Sequence, residues 1–70
     1  MTVNEAMEIV DEIEDLCGDA DAAPEKFKED IIDKSRSIAE TIDNTGRVTE
    51  RQADALTNMR DGIAKWCHDD

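Results

Sequence analysis

The chain is short of the residues that usually fill a core or build a catalytic site. Its 70 residues include one Phe, one Trp, no Tyr, three Gly, one Pro, two Cys and one His. A chain of this length forms one small domain with a modest core, so we expect a single domain over residues 1–70. With only Phe27 and Trp66 as aromatics, that core must consist mainly of Ile, Leu, Val, Met and Ala.

Two further absences concern membranes and export. The sequence has no apolar run of the ~20 residues that a transmembrane helix needs. Its N-terminus is acidic, whereas signal and transit peptides begin with basic segments. We therefore expect a cytoplasmic protein that does not associate with membranes.

The most informative absence is that of Lys and Arg from the first 21 residues, which contain eight acids. Residues 22–70 carry eleven acids and eight bases, so the N-terminal block supplies most of the net charge of −11. This charge opposes direct binding to nucleic acid or to anionic lipid, because both are negative. The expected partner is instead a basic protein.

The N-terminal block has the pattern of an amphipathic helix near residues 2–17. Thr2-Val3-Asn4-Glu5 forms a capping box, and Gly18 is predicted to end the helix in the left-handed conformation. Apolar residues recur at three- and four-residue spacing between these ends. The opposite arc is filled by six acids, which we predict to bind the partner: Glu5, Glu8, Asp11, Glu12, Glu14 and Asp15.

These six acids are costly to place on one helix. Residues 5 to 15 span ~15 Å, so they give one charge per ~2.5 Å, of the same order as the one per ~1.7 Å of duplex DNA. Like charges three or four residues apart destabilise the helix by a total of ~1–3 kcal/mol. A charge pattern that destabilises its own helix and brings that helix no benefit often marks a functional surface. The alternative is an ordinary solvated face that keeps the protein soluble.

Two more helices are predicted, near residues 23–43 and 49–67. Pro24 is tolerated in a first helical turn, Gly46 can adopt the positive φ of a helix stop, and Thr49-Glu50-Arg51-Gln52 is a second capping box. No segment alternates with the period of a strand. Short connections favour an all-α, up-down-up three-helix bundle. The predicted buried residues are Ile13, Phe27, Ile31, Ile38, Leu56, Met59 and Ile63.

Two small residues on the inward stripes have specific expected roles. Ser35 should donate its hydroxyl to the carbonyl of Ile31, one helical turn back. Gly62 lies between Met59 and Trp66, where the lack of a side chain is predicted to let a neighbouring helix approach closely.

The two cysteines fall at one pole of the predicted bundle, where helices 1 and 3 end. Cys17 and Cys67, with His68, Asp69 and Asp70, have the residue types of a zinc site, but there is no C-x-x-C and no second His. Two reduced thiols are the preferred interpretation, with a disulfide or a metal site as alternatives. No glycine-rich phosphate loop is present and His68 has no convincing catalytic partner. We therefore predict a non-enzymatic protein without cofactor or metal.

The C-terminal half resembles short accessory proteins of bacteriophages and mobile elements over about residues 38–66. The matching residues are Ile38, Ile42, Gly46, Val48, Thr49, Gln52, Ala55, Leu56, Asn58, Met59, Gly62, Ile63 and Trp66. Phage proteins of this size and charge are similar to anti-CRISPR and anti-restriction inhibitors, some of which imitate DNA. The resemblance implies a phage-type accessory protein and supplies no catalytic residues.

Two functions are compatible with these features. In the first, the chain is an acidic inhibitor or decoy that binds the basic nucleic-acid groove of a host defence protein, as a DNA mimic. In the second, it is a helical oligomerisation or adaptor module that acts through apolar helix surface and can pair with a second copy as a homodimer. Met7, Ile32 and Trp66, at the edges of their stripes or near a chain end, would then supply that surface.

Overall fold

The computed structural model describes residues 1–67, which form an all-α bundle of three helices, as the sequence predicts. Helix α1 is Val3–Asp19, α2 is Glu25–Thr45 and α3 is Glu50–Ala64. A single 3-10 turn, Lys65–Cys67, follows α3 directly. Residues 1–67 contain no strand.

Both predicted capping boxes are formed. Before α1, the Glu5 amide donates to Thr2 Oγ1 at 3.1 Å and the Thr2 amide donates to Glu5 Oε1 at 3.2 Å. Before α3, the corresponding distances between Thr49 and Gln52 are 3.1 and 3.0 Å. Each box satisfies amides that have no partner within the helix, which fixes where α1 and α3 begin.

The helix ends agree with the sequence at one position and differ at another. Gly46 has φ +74° and its amide donates to the carbonyl of Ile42 at 2.7 Å, so it is the left-handed cap of α2. The same role predicted for Gly18 is wrong, because α1 continues through Gly18 to Asp19. The amide of buried Ala20 donates to the Leu16 carbonyl at 2.9 Å, which satisfies the end of α1 without a left-handed residue.

Helix α1 lies at the centre of the packing. It packs closely against both α2 and α3, whereas α2 and α3 pack against each other less extensively. The core therefore follows the inner face of α1. Its buried apolar residues are Ala6, Ile9, Val10, Ile13, Cys17, Ala20, Ala23, Ile31, Ile42, Leu56 and Ile63.

The asymmetry of the packing explains which predicted core residues are not buried. Ile13, Ile31, Leu56 and Ile63 are buried as predicted. The side chains of the other three, Phe27, Ile38 and Met59, are only partly buried. Ile38 and Met59 line a groove between α2 and α3, the pair of helices that packs least extensively.

The roles predicted for the two small residues both need correction. Ser35 is fully buried, but its hydroxyl donates to the carbonyl of Ile32 at 2.9 Å, three residues back, rather than to that of Ile31. A Cβ built on Gly62 would lie 4.0 Å from the nearest atom, Cζ of Phe27, so no neighbouring helix requires a glycine there.

Candidate acidic recognition face

The six acids predicted to bind a partner all lie on α1, one regular helix. Five of them are exposed and Glu14 is half-buried. Because α1 buries its opposite face against both neighbouring helices, the acids are held on a rigid element whose rotation about its own axis is fixed.

Two of the six acids are partly compensated by arginines of the neighbouring helices. Glu14 Oε1 lies 3.1 Å from Nε of Arg36 on α2, and Glu12 Oε2 lies 3.8 Å from an Nη atom of Arg60 on α3. All four side chains are at least one third exposed, so each pair stabilises the fold by at most ~1 kcal/mol. At 100° per residue Glu14 lies at one edge of the acidic arc, and Glu12 lies near the other edge, beside Glu5.

A third acid takes part in the fold at the start of α1. Glu5 closes the capping box through its carboxylate, and a carboxylate near a helix N-terminus is favoured by the helix dipole. The charge of Glu5 is thus useful to the helix itself and needs no functional explanation.

The remaining acids form a line that we call the acidic ridge, defined as Glu8, Asp11, Asp15 and Asp19. At 100° per residue these four positions fall within an arc of about 80°. All four are exposed. Within residues 1–67, no Lys or Arg nitrogen lies within 4.0 Å of any of their carboxylates.

Asp19 is a member of the ridge that the sequence-based prediction omitted. Assigning the helix stop to Gly18 placed Asp19 in a loop. In the structure α1 includes Asp19, one helical turn beyond Asp15 on the same face. The four-residue spacing from Asp11 to Asp15 to Asp19 was the signal that could have revealed it.

The charge density of the ridge is lower than that of the whole acidic face. From Glu8 to Asp19 the helix rises ~16 Å, so the four uncompensated charges give one per ~4 Å. This is close to one strand of a DNA duplex, ~3.4 Å per phosphate, and sparser than both strands together, ~1.7 Å. The ridge can present carboxylates to cationic side chains at the axial density of a single phosphate strand.

An apolar groove lies between α2 and α3. Its volume is about 410 Å³ and it is lined by Lys34, Ser37, Ile38, Ala55 and Met59. Ile38 and Met59 are half-buried, so the groove exposes apolar surface. Its lining residues belong to α2 and α3, whereas the acidic ridge lies on α1.

An aromatic pair links α2 to the 3-10 turn. Trp66 remains 43% exposed, and its ring packs against that of Phe27 with centroids 6.3 Å apart and planes inclined at 53°. The pair adds a second patch of apolar surface outside the core.

The two thiols do not form a disulfide in the structure. Cys17 is buried at the end of α1, and Cys67 is half-buried in the 3-10 turn. Burial raises the pKa of the Cys17 thiol, an effect that Lys28 opposes and the nearby Cys67 reinforces. Within residues 1–67, no group of three His, Cys, Asp or Glu side chains is arranged to hold a metal ion. The other residues of the zinc hypothesis, His68, Asp69 and Asp70, lie outside the described residues.

None of the helices in residues 1–67 combines the length and the apolar character needed to cross a membrane. Comparison with known protein families, with curated proteins and with solved structures gives no match for this chain.

Proposed function

We propose that the protein is a non-enzymatic, phage-type inhibitor that acts in the host cytoplasm by binding the basic nucleic-acid groove of a host defence protein. The acidic ridge would place carboxylates where that groove receives the phosphates of one strand, so the protein would act as a DNA mimic. The observation that carries the proposal is the alignment of four exposed acids on α1 with no cation within 4.0 Å among residues 1–67.

The acidic ridge destabilises α1, and a surface that served only to keep the protein soluble would not need to do so. Its acids repel one another at three- and four-residue spacing, and Asp15 and Asp19 lie toward the negative end of the helix dipole. On α2, by contrast, Lys26, Asp30 and Lys34 alternate in sign at four-residue spacing. Solubility is served equally well by the mixed pattern. Concentrating one sign on α1 is useful when the partner is strongly positive.

The edges of the acidic face support this role. Arg36 and Arg60 contact Glu14 and Glu12 and leave the ridge between them without a cation. A basic groove would therefore meet a band of negative charge bordered by positive charge. Such a border limits how the two proteins align, because a displaced groove would bring its own cations against the arginines.

The partner can be sought by its chemistry. The parent protein, immobilised and exposed to host lysate at low salt, should retain a basic nucleic-acid-binding protein that elutes in a salt gradient. Duplex DNA should compete for that protein, since both ligands would occupy the same groove. Association should be fast and should slow steeply with added salt.

Two variants with the same net charge separate a local site from a general charge effect. The ridge variant carries Glu8→Gln, Asp11→Asn, Asp15→Asn and Asp19→Asn. The control variant removes four exposed acids from α2 and α3 that form no ion pair within residues 1–67, by Asp33→Asn, Glu40→Gln, Asp43→Asn and Asp54→Asn.

The ridge variant should bind the captured protein more weakly, with a slower on-rate and a flatter salt dependence. The control variant should retain most of the affinity of the parent. Binding of the ridge variant as tight as that of the parent would contradict the proposal. Equal weakening of both variants would show that net charge, and not the ridge, determines binding.

The groove between α2 and α3 favours a second candidate function, an oligomerisation or adaptor module. Half-buried Ile38 and Met59 offer apolar surface that a second copy would cover. Sizing at low and at molar salt distinguishes the two, because apolar self-association persists when charges are screened. The inhibitor proposal expects a monomer in both conditions. A dimer in molar salt that Met59→Gln dissociates would favour the module.

A further inference from the structure

The end of α1 and the 3-10 turn bring two thiols close together. Cys67 Sγ lies 3.4 Å from the carbonyl oxygen of Leu16, the residue bonded directly to Cys17. A carbonyl oxygen lies ~3 Å from the Cα of the next residue, so Cys67 Sγ is no more than ~6.5 Å from the Cα of Cys17. Because Sγ lies ~3 Å from its own Cα, the Cα atoms of the two cysteines are at most ~9 Å apart, whereas bridged cysteines have Cα atoms ~4.4–6.8 Å apart. A movement of the turn by at most a few ångströms would therefore allow the two sulfurs to bond.

The surroundings of the two thiols differ in a way that suits a stepwise reaction. Cys67 is half-buried and lies in a three-residue turn at the edge of the bundle, where an oxidant can reach it. Cys17 is 4% exposed and packs in the core, so an oxidant of the size of glutathione disulfide reaches it less readily than it reaches Cys67. The exposed thiol can react first and the buried one second.

We propose that Cys17 and Cys67 form a redox pair, reduced at rest, that closes to an intramolecular disulfide when the chain meets a small-molecule disulfide oxidant such as glutathione disulfide. The bond would tie the end of α1 to the turn after α3. This inference is independent of the inhibitor proposal, because it concerns the pole of the bundle and not the outer face of α1.

The reaction balances as two exchanges. The Cys67 thiolate attacks one sulfur of glutathione disulfide, which forms a mixed disulfide and releases one glutathione thiolate. The Cys17 thiolate then attacks Cys67 Sγ, which forms the Cys17–Cys67 bond and expels the second glutathione. The two cysteines lose two protons and two electrons, and glutathione disulfide gains both. Excess glutathione reverses the two steps.

The fold should favour the closed pair over the same pair in an unfolded chain. A bond between Cys17 and Cys67 closes a loop of about 50 residues, and for loops of this length the chain-entropy limit is roughly a thousandfold gain in the folding equilibrium constant. Strain from moving the turn subtracts from this limit. We expect at least ~10-fold, because the turn is only three residues long and has few contacts of its own to distort.

The test equilibrates the full chain in glutathione and glutathione disulfide at several ratios, then quenches the thiols by acid and alkylation. Mass spectrometry measures the fraction that has lost two hydrogens without gaining glutathione. The same titration in guanidinium gives the constant for the unfolded chain. By linkage, the ratio of the two constants equals the factor by which the bond raises the folding equilibrium constant.

A ratio of ~10 or more supports the proposal, and oxidation should then raise the thermal midpoint of the parent. Cys17→Ser should form only the glutathione adduct on Cys67, Cys67→Ser should form little adduct because Cys17 is buried, and neither variant should gain in midpoint. A ratio near one, or oxidation that yields only mixed disulfides or linked dimers, would overturn the proposal. Because the ratio is measured on the unaltered chain, the test does not depend on the folding of either variant.

Discussion

Neutralising the acidic ridge should stabilise the folded protein. Neutralising a helix face of mixed charge would do the reverse, because it would remove favourable pairs of opposite charge. Glu8→Gln, Asp11→Asn, Asp15→Asn and Asp19→Asn together remove every like-charged pair at three- or four-residue spacing on α1. These seven pairs are Glu5/Glu8, Glu8/Asp11, Glu8/Glu12, Asp11/Glu14, Asp11/Asp15, Glu12/Asp15 and Asp15/Asp19. At roughly 0.2–0.5 kcal/mol each, their loss stabilises α1 by ~1.5–3.5 kcal/mol at low ionic strength.

Two further terms modify this estimate. Asp19 lies in the last turn of α1, where removing a negative charge gains another ~0.3–1 kcal/mol. Gln and Asn have nearly the helix propensities of Glu and Asp, so the change of residue type adds little. The expected total is ~2–4 kcal/mol, which corresponds to a rise of at least ~8 °C in the thermal midpoint of a domain of this size.

Thermal unfolding followed by far-UV circular dichroism measures the effect. The control variant with Asp33, Glu40, Asp43 and Asp54 neutralised has the same net charge, so its midpoint corrects for general repulsion. The difference between the two variants should shrink in 1 M salt, where the Debye length falls to ~3 Å. Equal midpoints for the ridge variant and the control at low salt would refute the claim that the ridge is costly, and with it the main argument that its acids are functional.

Three further predictions concern single positions. Gly62→Ala should stabilise the protein by up to ~1 kcal/mol, because the added methyl gains helix propensity and meets only Phe27 Cζ at 4.0 Å; a lower unfolding midpoint in denaturant would show a close approach after all. Gly46→Ala should instead destabilise it by ~1–2 kcal/mol, because φ is +74° there, and an unchanged midpoint would contradict the left-handed cap. At neutral pH iodoacetamide should modify Cys17 more slowly than Cys67, because burial raises the pKa of Cys17 and lowers its thiolate fraction; the rate should increase with pH, and equal rates in the folded chain would contradict the burial.

The sequence was sufficient for the features that depend on local chemistry. Both capping boxes were predicted from four-residue motifs, because their hydrogen bonds join a side chain to a backbone amide three residues away. The stop at Gly46 was likewise predicted from the ability of glycine to adopt positive φ. Such features do not depend on how the helices pack.

The features that the sequence did not reveal depend on the relative placement of helices. Gly18 has the residue type of a cap, but the buried contacts of Ala20 extend α1 past it. Ile38 and Met59 have the spacing of core residues, yet the less extensive packing of α2 against α3 leaves them half-buried. A periodic pattern indicates which face points inward but not how closely the neighbouring helix approaches.

The candidate site combines both kinds of feature. The six acids and their shared face followed from periodicity alone. Their division into a paired edge and an uncompensated ridge did not, because Arg36 and Arg60 reach Glu14 and Glu12 from other helices. Asp19 was missed as a direct consequence of the wrong helix stop.

The central position of α1 has a consequence for how the molecule opens. Because α2 and α3 pack mainly on α1 and less on each other, removing α1 would expose the inner faces of both at once. The helix that carries the repelling charges therefore cannot separate from the bundle by itself, and its opening coincides with global unfolding. A partner that touches only the outer face of α1 should consequently slow hydrogen exchange in α2 and α3 as well, although it contacts neither.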